Sequence, residues 1–393
     1  MKVKFLIWFL LSSILSFIGF TQDKTKLDRY FSNKIEKLGI VGLQAAYLSK
    51  GQLKWKNSYG VKNYLDNNPV NDTTLFMIAS STKPITAIGI MKLYEEGVID
   101  LDANINDYLP FEICNPNHPE SKITIRMLLS HSSSIIDNWD VLTPLYTTEE
   151  GGDSPVELHD FIREYFVKGE KYYDSVKNFS ADPPLTQRVY SNMGIVLCGY
   201  IIELVSGVEF EEYMYKEVFE PLGMNNTYWF LRDIPHDNIA NPHELADKKG
   251  NSPTVLKHYG YADYPDGQIR TTVSDYSKII ELMLNKGVVN GHRFLKAETI
   301  HEMLRVQFPD TDKHQAIAWN YNEFDHWFYY LLMKRLPSHT GGDPGVATVV
   351  SFDPEESTGA IVFVNSPPNT FGGAKIFYLD MIKKLLEEAS KNN

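Results

Sequence analysis

Strand-like periodicity lies near both ends of this chain, and a long helical stretch separates the two sets. Val41–Ser49 and Leu53–Tyr59 are short β-type runs split by Lys50-Gly51-Gln52, a hairpin signal. Far downstream come Ala316–Tyr321, His326–Met333, Val346–Phe352 and Ala360–Asn365. Neither set buries its apolar face alone, so the first strands must pair with the last. The order predicts an α+β fold: an antiparallel sheet flanked by helices, plus an all-helical region. The sheet region takes about residues 22–85 and 260–393, and the helical region about 86–259. Helices are expected at 23–38, Ser80–Glu96, Ile125–Ser130, Pro155–Phe166, Gly194–Val205, Phe210–Phe219, Ser274–Asn285, Lys296–Leu304 and Gly373–Ala389. Ser80–Glu96 is apolar over much of its circumference, so it should be buried.

Composition excludes other architectures. The 393 residues are 43% hydrophobic and 22% charged, ordinary for a globular chain and wrong for disorder, collagen or coiled coil. The net charge is −12 with no run of basic residues, which argues against a nucleic-acid partner. The first residues stand apart. Lys2 and Lys4 precede an apolar run from Phe5 to Phe20, shorter than the ~20 residues of a spanning helix. Gly19 and Thr21 offer a cleavage site before Gln22. Residues 1–21 are therefore expected to be a signal peptide, with an uncleaved anchor as the alternative. The mature chain is expected to be exported, periplasmic or secreted, without a membrane span. Losing Lys2 and Lys4 would leave 36 basic residues against 50 acids, a charge of −14. Export permits a disulfide between Cys114 and Cys198, but two unpaired thiols are the plainer reading. The 11 histidines show no zinc spacing, so neither metal nor cofactor is expected.

Three short clusters can carry chemistry. In Ser80-Ser81-Thr82-Lys83, positions i and i+3 share a helix face, so the Ser80 hydroxyl and the Lys83 amine meet at a helix N-terminus. A hydroxyl becomes nucleophilic when a neighbour takes its proton. Lysine does so only when neutral, and burial in this apolar helix should lower its pKa. Tyr190-Ser191-Asn192 precedes the helix at 194–205; a phenol relays protons and an amide orients a substrate amide, or Ser191 and Asn192 simply cap the helix. His339-Thr340-Gly341-Gly342 ends a β-run; a glycine pair there admits a ligand backbone, and a hydroxyl beside a cation holds a carboxylate, or the glycines only make a turn.

Taken in this order, the three clusters resemble those of the penicillin-recognising serine hydrolases, in the class C β-lactamase and D-alanyl-D-alanine carboxypeptidase branch. Further segments resemble the family: Glu96-Gly97-Val98-Ile99-Asp100-Leu101-Asp102, Leu128-Leu129-Ser130-His131-Ser132-Ser133, Pro221-Leu222-Gly223-Met224 and Phe352-Asp353-Pro354. The resemblance runs from about residue 25 to 385 and implies one β-lactamase/transpeptidase-like catalytic unit over 22–393. It implies that Ser80 is acylated, that Lys83 accepts its proton and that Tyr190 shares the acid/base work. It further implies that Asn192 holds the substrate amide, that His339 and Thr340 line a carboxylate site, and that the amides of Ser80 and Gly342 form the oxyanion hole. The substrate would be a small molecule, peptide or ester; the oligomeric state stays open.

Two residues depart from the family pattern. His339 stands where class C lactamases carry lysine, which weakens carboxylate binding and turns the reading away from antibiotic resistance. Ser134 replaces a glycine usual after Ser133. The long acidic loop 137–189, with Asp137, Asp140, Glu149, Glu150 and Asp153, either shapes the substrate pocket or, as the plainer reading, is a solvated surface insertion. The leading expectation is a serine hydrolase of D-alanyl peptides, β-lactam-like amides or small esters. An esterase of a non-peptide ester such as an acylated glycan, and a non-catalytic scaffold, are the alternatives.

Overall fold

The computed structural model describes residues 25–245, 252–321, 323 and 334–393. Helix α1 (Lys26–Leu38) starts at a reciprocal capping box between Thr25 and Asp28 and stops at Gly39, whose φ of 69° suits glycine. Strands β1 (Gly42–Ser49) and β2 (Gln52–Gly60) form the expected hairpin. Three helices matter for the site: α2 (Lys83–Glu95), α3 (Asn192–Ser206) and α4 (Val273–Leu284). Strands β3 (Ser338–Asp343), β4 (Val346–Asp353) and β5 (Thr358–Val364) follow. The last helical run, α5, spans Phe371–Lys375, a π-turn at Ile376–Met381, and Ile382–Lys391.

The five strands make one antiparallel sheet in the order β2-β1-β5-β4-β3. β1 joins β5 in register from Leu43↔Val364 to Leu48↔Gly359, so early and late strands meet at the centre, as the element order required. β1, β4 and β5 are buried at every position, which demands cover on both faces. On one face Leu43, Ala45, Val349 and Val362 pack against Leu27 and Phe31 of α1 and Phe377 and Leu385 of α5. On the other, Ala46, Val350, Ile361 and Phe363 join the large core that includes Ile85 and Ile88 of α2 and Ile280 of α4. Among the described residues β2 and β3 are the two edge strands of this sheet.

Two expectations fall differently. Ala316–Tyr321 is a turn with isolated bridges, Gln315↔Asn320 and Asn320↔Ser338, and Ala318 sits at φ 51°. Its apolar residues are there because Ala316, Ile317 and Trp319 are buried, not because they form a ladder. The helix at Phe210 loosens after Met214 into a π-turn, Tyr215–Phe219. The expected strand His326–Met333 and the expected signal peptide lie outside the described residues. Cys114 and Cys198 are both free, the latter buried in α3. Among the described residues no single helix is long and apolar enough to cross a membrane.

Candidate active site

The turn that carries Ser80 is pinned from the sheet. A 3-10 turn, Ala79–Thr82, leads into α2 and begins with Ala79 at φ 47°, an uncommon conformation for a side chain to adopt. From β4, the Thr348 hydroxyl donates to Ile78 O at 2.9 Å and meets Ser81 Oγ at 2.8 Å. From β3, Gly341 lies so close that an added Cβ would sit 2.4 Å from Ile78 O and 3.1 Å from Ser81 N. The glycine expected to admit a ligand backbone thus admits the chain's own turn. Gly342 faces open space, its nearest would-be contact the Tyr378 hydroxyl at 3.9 Å.

Ser80 and Lys83 meet as their spacing requires, Nζ donating to Oγ at 2.9 Å. Lys83 is wholly buried and also donates to Asp266, at 3.0 Å to Oδ2 and 3.1 Å to the backbone oxygen. Burial pushes the amine down, but the Asp266 charge and the Tyr190 hydroxyl pull it up by more, and it ends above the ordinary lysine range. This corrects the expectation of a neutral lysine: the resting amine is an ammonium. Asp266 was absent from the sequence reading. Its one signal is an acid set among Tyr261, Tyr264, Pro265 and Ile269, where a solvated turn would be polar.

Tyr190 and Asn192 arrive on the N-terminus of α3. Ser191 caps that helix, its Oγ accepting Gly194 N at 3.0 Å. Asp137 accepts the amides of Asn192 at 2.9 Å and Met193 at 3.0 Å, and the Ser191 hydroxyl at 3.2 Å. Asp153 likewise accepts the amides of Leu231 and Arg232. The acidic loop is therefore partly a set of anchors, with Asp140, Glu149 and Glu150 left exposed. The Tyr190 ring lies 5.0 Å from Lys83 Nζ and 4.5 Å from the buried His131 ring, with its side chain partly exposed. Burial pushes the phenol up, with Lys83 pulling it back in part. The Asn192 side-chain oxygen is buried and has no hydrogen-bond partner among the described residues.

The β3 side differs from expectation at Thr340. Burial pushes His339 down to about 4, with the Lys83 charge acting the same way and Glu323 opposing, so the ring is neutral. Its Nδ1 lies 2.7 Å from Thr340 O. The Thr340 hydroxyl donates to Glu323 Oε1 at 2.6 Å, and the Thr340 amide to the same oxygen at 3.2 Å. The group expected to hold a substrate carboxylate already holds one of the chain's own. No spacing or motif points to Glu323.

Together these contacts place the Ser80 hydroxyl, the buried Lys83–Asp266 pair and the Tyr190 ring beside the β3 edge at Gly342. A family model described as Beta-lactamase matches residues 27–382. Penicillin-binding protein 4* of Bacillus subtilis (strain 168) is 25% identical over 322 residues, which cover 76% of this chain and 62% of that protein. Protein flp of Staphylococcus aureus (strain N315) is 24% identical over 349 residues, covering 87% of this chain and 63% of that protein. The chain thus spans about three fifths of the length of these curated relatives. Among solved structures, the D-amino acid amidase of Ochrobactrum anthropi SV3, complexed with L-phenylalanine amide, superposes with a TM-score of 0.69 at 20% identity, covering 94% of this chain and 99% of that one. The octameric penicillin-binding protein homologue from Pyrococcus abyssi gives 0.66 at 22% identity, covering 90% and 76%. These two likenesses show the shared fold.

Proposed function

We propose, from the premise that this chain belongs to the Beta-lactamase family of serine hydrolases, that it cleaves an amide or ester through an acyl-enzyme on Ser80. The substrate class is D-alanyl or related aminoacyl amides and small esters without a carboxylate beside the scissile bond. The observation that carries this choice is the Glu323 carboxylate on Thr340, because a substrate carboxylate there would meet like charge.

The steps follow from the contacts. Lys83 passes a proton to Asp266 Oδ2, 3.0 Å away, and its freed lone pair takes the proton of Ser80 at 2.9 Å. Ser80 Oγ bonds the carbonyl carbon, and the amides of Ser80 and Gly342 hold the oxyanion. Tyr190, whose ring lies 5.0 Å from Lys83 Nζ, hands a proton to the leaving nitrogen or oxygen as the C–N or C–O bond breaks. Asn192 Oδ1 accepts the substrate N–H. Water then takes the acyl group by the same route in reverse. Export through residues 1–21 is part of the proposal and is supported by the Lys2/Lys4 and Phe5–Phe20 pattern.

A substrate panel tests it: labelled penicillin, a D-Ala-D-Ala peptide, D-alaninamide and p-nitrophenyl butyrate, with wild type and Ser80→Ala. Turnover of the amide or ester that disappears in Ser80→Ala is the expected result. Turnover retained without the Ser80 hydroxyl, or none of the four reacting with wild type, rejects the reading.

A further inference from the structure

One residue along from Gly342, Asp343 ends β3 against a wall of tyrosines. Tyr146 and Tyr261 stack with ring centroids 4.4 Å apart, and both donate to the Asp343 carboxylate, at 3.4 Å to Oδ1 and 3.1 Å to Oδ2. Tyr259 closes the group, its ring 6.1 Å and 6.5 Å from the other two, and its hydroxyl donates to Pro344 O at 2.8 Å. A hydrogen-bonded carboxylate at a strand end is an ordinary structural device, so the case rests on what lies behind it.

Asp263 is wholly buried, and neither of its carboxylate oxygens has a hydrogen-bond partner. Asp266 Oδ1 is buried and unpartnered too. The charge of Asp263 acts on Tyr146 and Tyr261, and that of Asp266 acts on Asp343, so the three acids and the tyrosines form one neighbourhood. Two buried cations are at hand, and both are committed. Lys83 bonds Ser80 and Asp266, and Arg270 bonds the backbone oxygens of Gln268 and Tyr259. Asp263 and Asp266 are buried and Asp343 is half-buried, and burying a charge without a partner is costly, so burial and the charge of neighbouring acids push all three up. Burial and the Asp266 charge push Asp343 up to about 7, the response of an acid that lacks a counter-ion. Aromatic faces beside a carboxylate are a setting that attracts a cation.

We propose that Asp343, backed by Asp263 and Asp266 and walled by Tyr146 and Tyr261, is a subsite for a primary ammonium on the acyl part of the substrate, such as the free α-amino group of a D-aminoacyl amide or ester. Asp343 follows Gly342 in β3, and the Gly342 amide faces the oxyanion in the proposed mechanism, so the ammonium site and the reacting carbonyl are served by adjacent residues of one strand. This subsite rests on the acyl-enzyme reading above and names the substrate class of the same site.

Two isosteric substrates test it at pH 7: D-alanine p-nitroanilide, with an ammonium on Cα, and isobutyric p-nitroanilide, with a methyl in its place. The readout is the ratio of their kcat/KM values in wild type, Asp343→Asn and Asp263→Asn. Wild type should favour the ammonium compound by about tenfold or more, a typical value for one new charge-assisted contact. Asp343→Asn should bring the ratio near one, and Asp263→Asn should lower it by less. A wild-type ratio of one or below overturns the subsite whatever the variants do. So does an Asp343→Asn protein in which both rates fall together with the ratio intact, since that is a structural role. Turnover of the isobutyryl compound alone, or of neither anilide while p-nitrophenyl butyrate is cleaved, rejects the subsite while the acyl-enzyme stands; no turnover of either anilide or of the four-substrate panel rejects both.

Discussion

The two walls of the site are built on different principles. On the helix wall, Ser80, Lys83 and Asp266 hold one another through short polar contacts, with the Tyr190 ring 5.0 Å from the Lys83 amine. On the strand wall, acids of the chain occupy or surround the places a substrate would use: Glu323 on Thr340 and Asp343 beneath Tyr146 and Tyr261. The first wall is joined up before substrate arrives, which suits a constant reaction. The second presents carboxyl groups to the substrate, which suits selection by charge.

Three substitutions can break or sharpen that contrast. The largest effect should come from Asp266→Asn, which removes the acceptor of the Lys83 proton and breaks the buried pair that positions the amine against Ser80. Its kcat/KM for p-nitrophenyl butyrate should fall by about 10²–10³, within the range of a general acid–base contribution. A fall of under about threefold would show that the helix wall is not closed on itself. Next comes Gly341→Ala, which tests how the walls are joined. The new methyl would lie 2.4 Å from Ile78 O, a backbone atom that cannot swing aside. Urea unfolding should show a loss of about 1–3 kcal/mol, the usual cost of overpacking, together with slower acylation. Wild-type stability would mean that the strand wall stands free of the turn. The smallest is Glu323→Ala, which empties Thr340. KM for a D-Ala-D-Ala peptide should drop by roughly fivefold to tenfold, and by more than KM for p-nitrophenyl butyrate, as like charge is removed. An equal drop for both would mean that Glu323 acts by bulk alone.

The contrast also marks what could be read from the chain. The helix wall was legible because its signals are local: Ser80 and Lys83 are one helical turn apart, and Tyr190 and Asn192 flank a capping serine. The charge of Lys83 was not, because it depends on Asp266, which is 183 positions away. Burial alone pointed to a neutral amine; the partner reversed the sign. Glu323 lies 17 positions before Thr340 and belongs to no motif. The pairing of early and late strands followed from apolar faces that need cover. Ala316–Tyr321 misled for the same reason, since a buried turn and a buried strand share a composition.

The sheet has a consequence in time as well as in space. Ser80 is made early, yet the turn that presents it is bonded to Thr348, and β1 finds its second partner, after β2, in β5. Such far-apart pairings make folding slow and leave the first hairpin uncovered while synthesis proceeds. A half-made chain therefore holds the serine and the lysine but no working nucleophile. Activity switches on only after the last strands dock, so an unfinished copy is chemically silent towards whatever acyl compounds share its compartment.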